Sequence, residues 1–155
     1  MIVLGLDPGV KTGYALLRET ERGRLPEILQ HGTVSTEAGD ELAPRLKLIL
    51  DTIDPLVRQA DVAVIEVPAN ITYARSSHAF GKALNLASMN LNNRITGAIM
   101  GQLSLHGVKV VERVSTWNHQ NKAGKGAQVL ALYRDLGRTS EHARDAILLA
   151  LTYTK

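Results

Sequence analysis

The sequence contains no cysteine, a single tryptophan and a single phenylalanine, and no long apolar run in its 155 residues. The absence of cysteine excludes disulfides, thiolate zinc sites and cysteine nucleophiles. Any bound metal must then be held by carboxylates or imidazoles, which favours hard ions such as Mg²⁺ or Mn²⁺. Without an apolar run of about 18 residues a membrane-spanning helix is excluded. The first residues lack the basic head and cleavage site of a secretion signal, so we expect a cytoplasmic protein.

Acidic residues are scarce in the second half of the chain. Residues 1–66 hold seven Lys and Arg against eleven Asp and Glu, whereas residues 67–155 hold eleven against four. No acidic residue occurs between Glu66 and Glu112. A basic half of this kind suits a polyanion such as nucleic acid, although a solvated basic surface would give the same count.

The length fits one domain spanning residues 1–155, and the hydrophobic pattern predicts an α/β fold. We expect a five-stranded mixed sheet flanked by helices, with three antiparallel strands followed by two parallel ones. The strands are predicted at residues 2–7, 14–17, 28–35, 62–67 and 108–112. Helices are predicted at residues 40–59, from about 77, and at 94–105, 128–136 and 140–153.

Several residues mark the predicted helix boundaries and contacts. Asp40 is a plausible N-cap of the first helix, and Pro55 is expected to kink that helix or end it early. Gly97 and Gly101 lie four residues apart, which would permit close backbone packing on one helix face. Ser140 is the predicted start of the last helix.

Four residues from three segments form the candidate catalytic and metal-binding set. Asp7 and Glu66 each end an apolar strand, and His142 and Asp145 lie at i and i+3 on one face of the last helix. A carboxylate in such a strand is costly to desolvate unless it has a partner or a metal. A divalent cation also removes the repulsion between neighbouring carboxylates. We therefore expect the four side chains to meet at one edge of the sheet.

An oxygen-rich set of this kind suits two-metal phosphodiester hydrolysis. Asp7 would bridge two ions, Glu66 and Asp145 would each complete one ion's shell, and His142 would bind a metal or position the water. Each residue alone has a simpler explanation. Asp7 before Pro-Gly could be a turn former, and His142 with Asp145 could be a solvated helix start. Together these simpler explanations become much less convincing.

The stretch GLDPGVKTGYA at residues 5–15 resembles the opening of RuvC-type Holliday-junction resolvases, enzymes of the ribonuclease H-like superfamily. The resemblance extends to AVIE at residues 63–66 and to the last helix, where this sequence has the family's His-x-x-Asp form. It implies a ribonuclease H-like fold, a homodimer, and paired symmetrical incision of four-way DNA junctions with Mg²⁺ or Mn²⁺. A bacterial and a bacteriophage origin are both compatible with the sequence.

The segment after Glu66 departs from the family, which commonly places there a Phe that wedges into the junction. Tyr73 is the candidate for that stacking role, and Arg75 in the same basic stretch is a candidate DNA contact. The link at residues 118–126 resembles a family stretch with phosphate-contacting lysines, which makes Lys122 and Lys125 candidate backbone contacts.

Three other functions fit parts of the pattern. A ribonuclease H-like nuclease could act instead on RNA–DNA hybrids, precursor ribosomal RNA or flaps. A hairpin opening with Asp-x-Gly also occurs in the actin and sugar-kinase ATPase fold, but that fold needs two such domains. A junction-binding protein without catalysis would have no need of Asp7, Glu66 and Asp145 together.

Overall fold

The computed structural model describes residues 1–21, 24–37, 39–68, 86–114, 131, 133, 136 and 139–154, with only the backbone for residues 86–89. The elements of this part of the chain are, in order, β1 (Ile2–Asp7), β2 (Lys11–Arg18), β3 (Glu27–Ser35), α1 (Leu42–Val57), β4 (Val62–Val67), α2 (Leu86–Leu105), β5 (Lys109–Val114) and α3 (Glu141–Leu151). The strands form one sheet in the order β3-β2-β1-β4-β5. No helix of the described residues is long and apolar enough to cross a membrane.

The sheet is mixed, as the sequence predicts. β1 pairs antiparallel with β2, and β2 pairs antiparallel with β3. β4 lies parallel to both β1 and β5, so the carboxyl ends of these three strands meet at one edge. We call this edge the carboxyl edge.

Alternation along the strands separates two hydrophobic clusters, one on each face of the sheet. Leu4, Leu6 and Ile65 belong to the cluster that also contains the buried residues of α1 and α2. Val3 and Val64 belong to the cluster that contains the apolar side of α3. Because Asp7 and Glu66 continue the alternation of Val3 and Val64, their side chains lie on the face covered by α3.

Two predictions about the ends of α1 are wrong. Glu41, not Asp40, occupies the N-cap position of α1 and makes no capping hydrogen bond with its side chain. The Asp40 carboxylate instead accepts from the backbone N–H of Glu37 at 2.9 Å, closing the preceding turn. Pro55 does not end α1 early, because the helix continues through it to Val57. Pro55 lies near the helix end on an exposed side, where the missing N–H affects only the Asp51 carbonyl.

The region after β4 differs from the prediction as well. α2 is one continuous helix from Leu86, so the break expected before Arg94 does not exist. Gly97 and Gly101 contact nothing close: a Cβ atom built at either position meets no atom within 4 Å. The predicted close packing at these glycines is therefore absent from the described part of the chain. The helix predicted at residues 128–136 and the one predicted to begin near residue 77 fall largely outside the described residues.

β2 begins at Lys11, three residues before its predicted start, and contains Gly13. Hydrogen bonding to strands on both sides extends β2 past the glycine, although glycine has a low strand propensity. The last helix agrees closely with the prediction. The Ser140 side chain caps it by accepting from the backbone N–H of Ala143 at 3.2 Å.

Candidate active site

A single row of residues crosses the sheet at its carboxyl edge, on the face covered by α3. Cross-strand partners point to the same face, so the row follows from the strand register. Gly13 is the partner of Asp7 and of Thr33, and Glu66 is the partner of Arg113. β1 and β4 pair up to the residues just before Asp7 and Glu66, which places these two carboxylates side by side. The row reads Thr33, Gly13, Asp7, Glu66, Arg113.

Glycine in the sheet allows α3 to lie directly on the strands. A Cβ atom at Gly13 would stand 2.0 Å from the carbonyl oxygen of His142. One at Gly5 would stand 1.9 Å from the carbonyl oxygen of Ala146, one turn farther along the helix. Both distances are far inside van der Waals contact, so no side chain larger than hydrogen fits. The two glycines therefore set how closely the helix approaches β1 and β2.

Besides its contacts with β1 and β2, the first turn of α3 is held by Thr33 of β3. The hydroxyls of Thr33 and Ser140 are hydrogen-bonded to each other, and Ser140 is also the cap of α3. This contact joins β3 to the helix immediately before His142. The start of the helix is thus held by a side-chain contact at one end of the row and by glycine packing beside it.

A direct hydrogen bond within the candidate site joins α3 to β1. The Asp7 carboxylate accepts a hydrogen bond from Nδ1 of His142, with 2.8 Å between Oδ2 and Nδ1. The Asp7 side chain is 13% exposed and that of His142 is 39% exposed, so the pair lies at the rim of the sheet and is open on the His142 side. Asp145 is 5% exposed, on a helix whose other buried residues are apolar.

Asp7, Glu66 and His142 are thus brought to one edge of the sheet, but the four predicted site residues do not form one compact group. His142 touches Asp7, Glu66 lies on the neighbouring strand, and Asp145 lies one turn along the helix. Within the part of the chain that is described, no three His, Asp or Glu side chains stand close enough together to hold a metal ion. The donor chemistry, three carboxylates and one imidazole, nevertheless fits a hard divalent cation.

The backbone that leaves Asp7 is held by two buried threonines. The Thr12 hydroxyl donates to the Gly9 carbonyl at 2.8 Å and accepts from the Gly9 N–H at 3.3 Å. The Thr36 hydroxyl and backbone N–H both donate to the Val10 carbonyl, at 2.8 and 3.0 Å. The turn that redirects the chain after the catalytic candidate is therefore fixed on both sides.

A family of known proteins matches nearly the whole chain. Residues 3–153 match the model of the family described as crossover junction endodeoxyribonuclease RuvC. The chain belongs to the RuvC family. The mixed five-stranded sheet flanked by helices agrees with the solved RuvC structures, and the ribonuclease H-like fold expected from the sequence is consistent with it.

Individual RuvC proteins are similar over nearly the whole chain. Crossover junction endodeoxyribonuclease RuvC from a Wolbachia strain of Drosophila simulans is 29% identical over 161 residues, covering 99% of this chain and 94% of the relative. The solved structure of Thermus thermophilus RuvC superposes with a TM-score of 0.74 at 21% identity, covering 98% and 92% of the two chains. The same protein in complex with a Holliday-junction substrate gives a TM-score of 0.70 at 18% identity, covering 98% and 91%.

Four predicted DNA contacts lie outside the described residues of this RuvC-family protein. They are Tyr73, Arg75, Lys122 and Lys125. Their assignment therefore stays a prediction from sequence.

Arg113, Thr33 and the two threonines of the Asp7 turn were not identified from the sequence. Threonine in a strand is common and carries no functional signal. Arg113 could have been found by counting back from the end of β5, because it occupies the place on that strand that Glu66 occupies on β4. That count requires the register, which the structure supplies.

A second polar cluster joins α1 to α2 away from the row. The Asp54 carboxylate accepts from Arg58 Nε at 2.7 Å and from Gln102 Nε2 at 2.8 Å. These hydrogen bonds, with that of Arg58 the strongest cause, lower the pKa of Asp54 below its usual range. Both helices cover the opposite face of the sheet from α3, so we assign this cluster a structural role.

Proposed function

We propose that this chain is an endonuclease that resolves Holliday junctions by hydrolysing phosphodiester bonds in paired, symmetrical nicks. The observation that carries the proposal is the hydrogen bond between Asp7 and His142 at the sheet edge, within a chain that belongs to the RuvC family over residues 3–153. Asp7 and Glu66 are side by side there, and α3 brings His142 and Asp145 to the same face. These residue types at the carboxyl edge of the sheet match the requirements of phosphodiester hydrolysis.

RuvC enzymes are metal-dependent nucleases, and we propose Mg²⁺ or Mn²⁺, two ions per site, as the cofactor. Asp7, Glu66 and Asp145 would hold the ions, and His142 would complete the set. Bound divalent ions supply a water of lowered pKa and stabilise charge on the leaving oxygen. His142 is oriented for such a role, because its hydrogen bond through Nδ1 to Asp7 fixes the ring and turns Nε2 away from β1.

We further propose a homodimer of one-domain subunits acting on a two-fold symmetrical junction, since each subunit could then cut one strand of a matched pair. Tyr73 would stack on an exposed base, and Arg75, Lys122 and Lys125 would contact phosphates. The excess of basic over acidic residues after Glu66 supports a DNA partner. A cytoplasmic location agrees with access to chromosomal DNA. The curated relatives are RuvC proteins of bacteria, which supports a bacterial origin over a bacteriophage one.

The test is cleavage of a mobile four-way junction beside an RNA–DNA hybrid and a flap, with product mapping. Metal-dependent symmetrical nicks in the junction are expected, whereas a strong preference for the hybrid would replace this proposal with a ribonuclease function. Asp7→Asn should abolish cleavage and leave junction affinity nearly intact. Asp51→Asn is the matched control, because Asp51 is an exposed carboxylate on the outer face of α1. An Asp7→Asn protein that still cuts would refute the assignment of the site.

A further inference from the structure

Arg113 ends the same row that contains the two strand carboxylates. Its cross-strand partner on β4 is Glu66, and neighbouring strands lie about 4.8 Å apart. Val111, two residues earlier on β5, packs in the cluster under α3, so alternation places Arg113 on the α3 face as well. β5 is the edge strand of the sheet, and Arg113 lies one residue before its carboxyl end. The backbone of Arg113 therefore lies beside that of Glu66, and the Arg113 side chain leaves β5 on the face that bears the candidate catalytic carboxylates.

The contacts of Arg113 differ from those of the other β5 residues on the same face. The residues of β5 that follow the alternation on the α3 face are Lys109, Val111 and Arg113. Lys109, at the opposite edge, is held by the Tyr153 hydroxyl at 3.0 Å. Arg113 is half-buried, and its Nη1 donates to the neighbouring Glu112 carbonyl at 3.2 Å. Arg113 is the one cation in a row whose other charged members are the carboxylates Asp7 and Glu66.

We infer that Arg113 binds a non-bridging phosphate oxygen of the DNA strand that is cut, and this rests on the nuclease function proposed above. Two divalent ions would balance the charge of three carboxylates and one phosphodiester, so what remains for a protein cation is the additional negative charge that develops on the phosphoryl group during cleavage. A guanidinium offers five N–H donors in a planar fork that matches phosphate. Because Arg113 pairs with Glu66 across β4 and β5, a phosphate bound by Arg113 would lie at the carboxyl edge of the sheet. Such a donor aligns the scissile group and stabilises charge that develops on it.

The test compares Arg113→Gln and Arg113→Lys with a matched control, Lys109→Gln. The control removes the same charge from the same strand at the opposite edge of the sheet. Two quantities are measured for each protein. One is the single-turnover cleavage rate of a four-way junction. The other is the slope of log binding constant against log salt concentration, taken without divalent metal.

For Arg113→Gln we expect a cleavage rate lower by about 100- to 1,000-fold, the range found for loss of one charge-stabilising donor. The salt slope should decrease in magnitude by about 0.9, the value for one lost phosphate contact on duplex DNA. Arg113→Lys should restore the slope, because the charge remains, but only part of the rate, because lysine lacks the planar fork. Lys109→Gln should leave both quantities unchanged.

A wild-type cleavage rate and an unchanged slope in Arg113→Gln would overturn the inference. So would a slope that changes equally in Lys109→Gln, because that would indicate a general charge effect. A wild-type protein that cuts no junction would contradict the proposed function instead. The salt slope of Arg113→Gln would then still decide whether this residue contacts DNA.

Discussion

Replacing Gly13 with alanine should push α3 away from the sheet. The added Cβ atom would lie 2.0 Å from the carbonyl oxygen of His142 and 2.4 Å from its carbonyl carbon. Real Cβ atoms essentially never come within 3.0 Å of such atoms. The neighbouring atoms are backbone on both sides, so no side chain can rotate to make room. Either α3 or β2 must move by about 1 Å.

The displacement acts directly on the candidate site, because His142 is itself the residue that is pushed. Its 2.8 Å hydrogen bond to Asp7 would lengthen beyond the usual limit for such bonds. A misplacement of about 1 Å in a catalytic group costs on the order of 100-fold in rate. Overpacking a tight contact costs about 1–3 kcal/mol in the free energy of unfolding. We therefore expect a folded but destabilised protein with cleavage reduced on the order of 100-fold.

The assay is single-turnover cleavage of a four-way junction, paired with urea unfolding of the same protein. Gly39→Ala is the matched control, because a Cβ atom there would meet nothing within 4 Å and the backbone φ is not in the left-handed region. That variant should cut and unfold like the wild type. If Gly13→Ala cut junctions at the wild-type rate, close approach of α3 to β2 would not be what positions His142.

Three further predictions concern stability. Thr12→Val should lose about 1–3 kcal/mol in urea unfolding, because the buried Gly9 N–H and carbonyl lose their partner, and Thr12→Ser should recover most of it. Thr96→Val should be neutral or stabilising by the same measurement, since its hydroxyl is buried without a hydrogen-bond partner in the described structure; a clear loss would contradict this. The lowered pKa of Asp54 predicts stability that is present above its usual pKa of about 4 and is lost as pH falls through the lower folded value. Unfolding at a series of acidic pH values should therefore show a shallower decline for Asp54→Asn than for the wild type.

The parts of the fold that the sequence predicted are those determined by local pattern. The predicted bounds of β1 and β4 are correct, because each strand is a short continuous apolar run with no helical spacing of apolar residues in it. Ser140 was identified as the start of α3 because a serine before a helical apolar pattern is a strong local signal. Asp7 and Glu66 could be grouped because neighbouring parallel strands end at one edge of a sheet. His142 and Asp145 could be added because the apolar residues that follow them predict a helix lying on the sheet.

The errors and omissions concern properties that depend on distant parts of the chain. Asp40 has the chemistry of a cap, but a turn formed with Glu37 uses its carboxylate instead. Gly97 and Gly101 have the spacing of a packing motif, yet a Cβ atom built at either position meets no atom within 4 Å. Gly5 and Gly13 make the close contacts instead. Arg113 acquires its neighbour only through the pairing of β5 with β4. Which strands pair, and which helix packs closely on a glycine, depends on the fold of the whole chain. The sequence of one segment therefore does not reveal these contacts.

The contact of α3 with Gly5 and Gly13 means that its height above the sheet is defined by main-chain atoms rather than by side-chain volumes. Exchanges among the aliphatic residues of that helix would then change how tightly it is held while leaving its distance from β1 the same. The stability of the protein and the position of His142 relative to β1 would then depend on different residues. Aliphatic positions on this helix could therefore be varied to make the protein more heat-resistant, with the spacing between its imidazole and the first-strand carboxylate preserved.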